Sequence, residues 1–255
     1  GKNVSCYMCS SFNDEWGVIV KDSIDLQLIN LTILNSTQFP SLEIDNEGVS
    51  HQGKVILNNI SIEQTCIRTD ERDHCNTDET IVLKNVDAEI NSLYLFTEGC
   101  GFYWSAKGDL ISYINDSYIY QDPECMVGDT FAWQLEDHTQ LEGINLDLSN
   151  APTSLKNSVV NISKSIAPVA FTAHPQFEFE TTSHLRWISP SIISEEIDDI
   201  EFGTSDSILD LMWNVEVHVL NQYLNHIPYS SVNLSFDQFE SDYSATLPYE
   251  GIDVL

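Results

Sequence analysis

Apolar and polar residues alternate along this chain in short bursts. In "VNLSF" Val232, Leu234 and Phe236 share one parity, and Asn233 and Ser235 the other. That period of two is the signature of a strand with one buried face. "NNISIE" sets Ile60 and Ile62 against Asn59, Ser61 and Glu63, and "VVNISK" sets Val160 and Ile162 against Asn161 and Ser163. In "SIDLQLINLTIL" the apolar phase runs through Ile24, Leu26 and Leu28, then flips to Ile29, Leu31 and Ile33. A β-bulge near Leu28 accounts for the flip, and the strand should end near Leu34, before the turn-like "NSTQFP".

Further strand candidates follow in "SLEI", "TIVLKNVDAEINSLYLF", "DLISYI", "SYIYQ", "TFAWQLE", "INLDLS" and "QFEFETT". Many short strands between polar turns predict a mainly β, antiparallel architecture. The phrases "LNNI", "LKNV" and "YIND" loosely suggest stacked coils of a β-solenoid, but their spacing is irregular and no fixed period emerges. "GTSDSILDLMWNVEVHVLNQYLNHIP" fits two periods. Ser205 to Ser207 would cap a helix over 205–226, with Ile208, Leu211, Met212, Val215 and Val219 on one face and Pro228 beyond its end. Trp213, Val215, Val217 and Val219 alternate as a strand would. Length and the cap favour the helix, which would make the fold α+β. "LSNAPTSLKN" is the best boundary, dividing a cysteine-containing β-rich domain, 1–148, from a cysteine-free acidic β-rich region, 149–255.

Charge narrows the partners. Forty Asp and Glu face ten Lys and Arg, a formal net charge of −30, and no basic residue follows Arg186. Phosphate binding needs clustered cations, so nucleic acid and anionic lipid surfaces are disfavoured. With 42% hydrophobic residues the chain is nonetheless globular. It holds no apolar run long enough for a transmembrane segment. It begins at Gly1 without an initiator Met, which points to a processed chain or an excised fragment.

Six cysteines, Cys6, Cys9, Cys66, Cys75, Cys100 and Cys125, precede the boundary. An even number fits three disulfides in an oxidising compartment, with connectivity open. A zinc site would start from Cys6-x-x-Cys9, but no second close pair completes it. Seven Asn-x-Ser/Thr sequons, at Asn3, Asn30, Asn35, Asn59, Asn115, Asn161 and Asn233, suit the same compartment. Several sit on the polar parity of a strand, where a glycan would face solvent. The expected setting is secreted, cell-surface or lumenal.

Chemistry is harder to find. No nucleophile elbow, zinc-protease, dinucleotide or Walker motif occurs, and no cofactor is implied. The loop Thr65 to Thr80, pinched by Cys66 and Cys75, gathers Asp70, Glu71, Asp73, His74 and Asp78, but without a calcium-binding register. Glu195, Glu196, Asp198, Asp199 and Glu201 supply carboxylates for glycoside chemistry, as any acidic surface would.

From Asp206 onward the chain resembles the closing segment of the bactericidal/permeability-increasing and lipid-transfer family, through "LNQYLNHIP" and "SVNLSFDQFESDYSATLPYEGIDVL". That resemblance implies a twisted sheet wrapped on helices around an apolar groove, lined here by Leu211, Val215, Val219 and Leu224. The family's first long helix and a basic tip for anionic lipid are missing. The leading expectation is a non-enzymatic interaction or surface-structural protein that assembles with protein subunits or with itself. Lipid carriage is the alternative, and a carboxylate-dependent hydrolase the third.

Overall fold

A computed structural model describes residues 17–23, 25–36, 40–48, 54–64, 68–69, 72–73, 79–98, 100–122, 131–169, 175–191 and 199–212. The chain forms β1 (Val18–Lys21), β2 (Gln27–Ser36), β3 (Leu42–Asp45), β4 (Val55–Gln64), β5 (Arg68–Thr69), β6 (Arg72–Asp73), β7 (Glu79–Lys84), β8 (Ala88–Thr97) and β9 (Cys100–Ser105). It continues through β10 (Ser112–Gln121), β11 (Trp133–Glu136), β12 (Leu141–Asn150), β13 (Thr153–Lys156), β14 (Val159–Ser163), β15 (Phe177–Phe179), β16 (His184–Ile188), β17 (Ile200–Phe202) and β18 (Ile208–Met212).

Two eight-stranded parallel sheets carry the fold. One runs β1-β3-β7-β9-β11-β13-β15-β17 and the other β2-β4-β8-β10-β12-β14-β16-β18. The chain alternates between them, so each pair of strands is one coil of a parallel β-solenoid, eight coils in all among the described residues. β5 and β6 form a small antiparallel pair outside the stack. The antiparallel expectation is therefore wrong, and the cause is physical. Parallel sheets covered on both faces read as continuous apolar runs. A solenoid buries only the inner face of each strand, so its strands alternate as a meander's do. The helix over 205–226 fails wherever it is described: Ser205 and Asp206 lie in a turn, and Ile208–Met212 is β18, paired in parallel with β16. The rest of that segment lies outside the described residues. The candidate boundary between 148 and 149 falls inside β12, with Leu148 and Ala151 both buried.

Stacking turns sequence into columns. Along the long-strand sheet Leu28, Leu57, Ile90, Ile114, Gly143, Ile162, Trp187 and Leu211 are register partners in successive coils. All but Leu211 are buried, and Leu211 is partly so. Gly143 makes room: a Cβ there would lie 3.0 Å from Leu146 Cδ1 and 3.4 Å from Ile162 Cγ1. The short-strand sheet answers with Val20, Ile44, Leu83, Trp104, Leu135, Leu155, Phe179 and Phe202. Each fully buried Leu, Ile or Phe contributes roughly 1.5–3 kcal/mol. The core also holds a polar knot, in which the Thr80 hydroxyl donates to Gln64 Oε1 and lies 2.6 Å from Thr97 Oγ1.

The long strands are bent, and the bend positions the site. Asn30, Asn59, Ser92, Asp116, Asn145, Lys164 and Ser189 all have φ between 49° and 60°. Register places them one above another. At each bend the buried parity slips by one, so Leu28 is followed inward by Leu31, Leu57 by Ile60, and Ile90 by Leu93. The phase flip at Leu28 is this left-handed residue at Asn30, not a bulge, and β2 runs on to Ser36. Left-handed backbone disfavours residues with a Cβ, and Asn and Asp tolerate it best because their short polar side chains bond locally. Four of the seven positions are Asn or Asp.

Candidate functional site: an axial trough on the bent face

Each bend tilts the two halves of a long strand, leaving a concave corner on the outside. Repetition turns the corner into a trough of about 510 Å³ running along the solenoid axis. Its floor is the bend column from Asn59 through Ser92, Asp116 and Asn145 to Lys164, and its wall is Tyr94, Tyr118, Asp147 and Ile166. Five coils at a strand spacing of about 4.8 Å make it about 19 Å long.

Serine keeps the bends in place. The backbone N–H of Leu93 donates to Ser117 Oγ at 3.1 Å, and that hydroxyl donates to its own chain at Asn115 O, 2.7 Å away. Ser165 does the same for Leu146 N–H, at 2.9 Å, and bonds Ser163 O at 2.8 Å. Backbone donors turned off the ladder by the bend are thus satisfied from the next coil. On the floor, side chains link coil to coil: Asn59 Nδ2 donates to Asn30 Oδ1 and Asn145 Nδ2 to Asp116 Oδ1, both at 2.7 Å. On the wall, Tyr94 and Tyr118 stack with ring centroids 5.3 Å apart, and Phe96 and Tyr120 stack beside them at 5.0 Å. Tyr94 remains 40% exposed. Burial, and then the charge of Asp147, push the Tyr118 phenol upward, so it stays a neutral donor at physiological pH.

The sequons map onto this architecture. Asn30 and Asn59 occupy the bend column, exposed, with Leu31, Ile33, Ile60 and Ile62 buried beside them. Asn115 and Asn161 lie half-buried on the outer parity. The Nδ2 of Asn115 donates to Asn91 Oδ1 at 3.1 Å and that of Asn161 to Glu142 Oε1 at 3.0 Å. A glycan on Asn59, Asn115 or Asn161 would attach to a nitrogen that already donates along the face. Asn35 is placed as backbone in β2, while Asn3 and Asn233 lie outside the described residues. So do Cys6, Cys9, Cys66, Cys75 and Cys125; Cys100 begins β9 with only its backbone described. Of the lipid-groove residues, Leu211 is a partly buried member of an interior column, and Val215, Val219 and Leu224 lie outside. Of the acidic run, Asp199 and Glu201 are described and Glu195, Glu196 and Asp198 are not; of the acidic loop, only the backbone of Asp73 is.

Sequence reasoning missed Ser92, Tyr94, Asp116, Tyr118, Asn145, Asp147 and Lys164. The signal was present as an apolar step of three where two is expected, with a polar residue just before the second apolar position. Among the described residues no cluster of His, Cys, Asp and Glu is arranged to hold a metal, and no helix is long and apolar enough to cross a membrane. No family model matches the chain, and neither curated proteins nor solved structures provide a match.

Proposed function

We propose that this protein is a non-catalytic binding scaffold, working in a secreted, cell-surface or lumenal setting, that holds an elongated partner along its trough. One observation carries the reading: the same outward corner repeats over five coils, lined by tyrosines and by side chains that both donate and accept hydrogen bonds. Such a surface suits a partner lying parallel to the axis, whose contacts repeat as the coils do. The even cysteine count and the seven sequons support the compartment. Lipid is the poorer fit, since the floor carries Asn, Asp, Ser and Lys where a lipid tail would need apolar cover.

The test is carbodiimide labelling of Asp116 and Asp147, read by mass spectrometry, with and without linear probes. Suitable probes are a neutral glucan, hyaluronan, polylysine and an uncharged synthetic peptide. At least one should protect both carboxylates while exposed Glu201 stays reactive. The reading fails if none protects them. It also fails if a protecting probe is cleaved and Asp116→Asn or Asp147→Asn stops the cleavage.

A further inference from the structure

Taking the trough as a binding surface, as proposed above, we infer that its ligand is an uncharged linear oligosaccharide lying along the solenoid axis. The polar groups set the ligand's chemistry. Asn59, Ser92, Asp116 and Asn145 offer amide, hydroxyl and carboxylate groups, one per coil, at intervals of about 4.8 Å. A chain of pyranose rings carries hydroxyls that both donate and accept, at a repeat close to one coil step. The tyrosine wall supplies what a sugar's C–H edge packs against: Tyr94 is exposed beside its stack with Tyr118, and its register partner in the coil below is only Ser61, too small to cover the ring.

Other polymers fit less well. An extended peptide gains most of its affinity by adding a strand to an open sheet edge. Here the trough lies across the strands, between coils already paired on both sides, so no backbone ladder is on offer. A polyanion would meet Asp116 and Asp147 with only Lys164 in compensation, on a chain of net charge −30. A polycation is the serious competitor, because it would welcome both carboxylates. Its ammonium groups would settle over a tyrosine face, as Lys54 does over Tyr113, but no ammonium accepts a hydrogen bond from the amides of Asn59 and Asn145.

The deciding experiment is isothermal titration of the full chain, with N-glycans removed so that no sugar on Asn59 fills the trough's foot. The probes are neutral oligosaccharides about four units long, matched to the trough, and polylysine. The neutral probes should bind. Tyr94→Ala should weaken them at least about tenfold, as should Asp116→Gly, whose glycine suits the positive φ and keeps the bend while removing the carboxylate. Glu201→Gln should bind as the parent does. Equal binding by the parent and both trough variants would put the sugar elsewhere and overturn the inference. Polylysine binding that Asp116→Gly weakens, with neutral probes inert, would overturn the ligand class but leave the trough a binding surface. If every probe is inert and neither carboxylate is protected, the binding-scaffold reading falls as well.

Discussion

The two sheets come from the same eight coils, yet their outer faces differ. The short strands are straight. Their outward row settles its charges laterally: Lys156 Nζ lies 2.6 Å from Glu136, which also accepts a 2.6 Å hydrogen bond from Tyr103, and Lys21 lies 4.0 Å from Glu43. Burial alone would raise the Glu136 carboxyl, but the hydrogen bonds from Lys156 and Tyr103, with the charge of Lys156, outweigh it and hold Glu136 below its usual range. Five of the long strands bend at an internal left-handed residue, Lys164 and Ser189 take the same place just past β14 and β16, and the side chains of this column line a concavity. What separates the flat face from the troughed one in this molecule is a backbone angle, not a composition.

The comparison is broken most severely from the short-strand side. Trp104 is fully buried, donates its indole N–H to Val86 O at 2.7 Å, and packs edge-on against His138. Trp104→Ala should cost about 3–5 kcal/mol, visible as a lower urea midpoint, and should loosen both sheets because the two share one core. Next comes pH. His138 is buried with its Nε2 3.1 Å from Trp104 O, and burial pulls it down to about 4, the backbone contact pulling weakly the other way. The folded state therefore refuses a proton that the unfolded chain takes up below about pH 6.5. The stability present above that value should fall as pH drops towards 4, by about 3 kcal/mol in all, and His138→Gln should flatten this part of a thermal-midpoint profile.

The bend itself is the next target. A β-branched residue resists positive φ, so Asn59→Val should lose about 1–2 kcal/mol, whereas Asn59→Gly should stay within a few tenths despite losing its bond to Asn30. If both variants lose equally, the side-chain ladder and not the backbone angle defines the bent face. The smallest effect belongs to the straight face, where Lys156→Ala removes an ion pair whose Lys side chain is 44% exposed. It should shift stability by about 0.5 kcal/mol or less and fade with added salt.

Strand identity was readable from sequence because alternation reports one buried face, and β4 shows it with Val55 and Leu57 inward and Ile60 and Ile62 inward after the bend. Pairing direction was not readable, because alternation is blind to it. Nor was the repeat. The bends lie as little as 19 residues apart, Asn145 to Lys164, and as much as 33, Asn59 to Ser92, since both the strands and the connections within and between coils vary in length. "LNNI" and "YIND" do share the bend column, through Asn59 and Asp116. "LKNV" belongs to a different corner, at Asn85, so the three phrases never fall into one period. Asn30 and Asn59, the acceptor residues of two sequons, are also of the residue type that a left-handed bend selects.

Because hydrogen bonding between neighbouring coils sets the rung spacing, whatever length of chain separates two bends leaves that spacing untouched. The connecting loops can therefore be lengthened or shortened without altering the pitch of the trough. Adding or deleting a whole coil would instead change the length of the trough by one rung, about 4.8 Å.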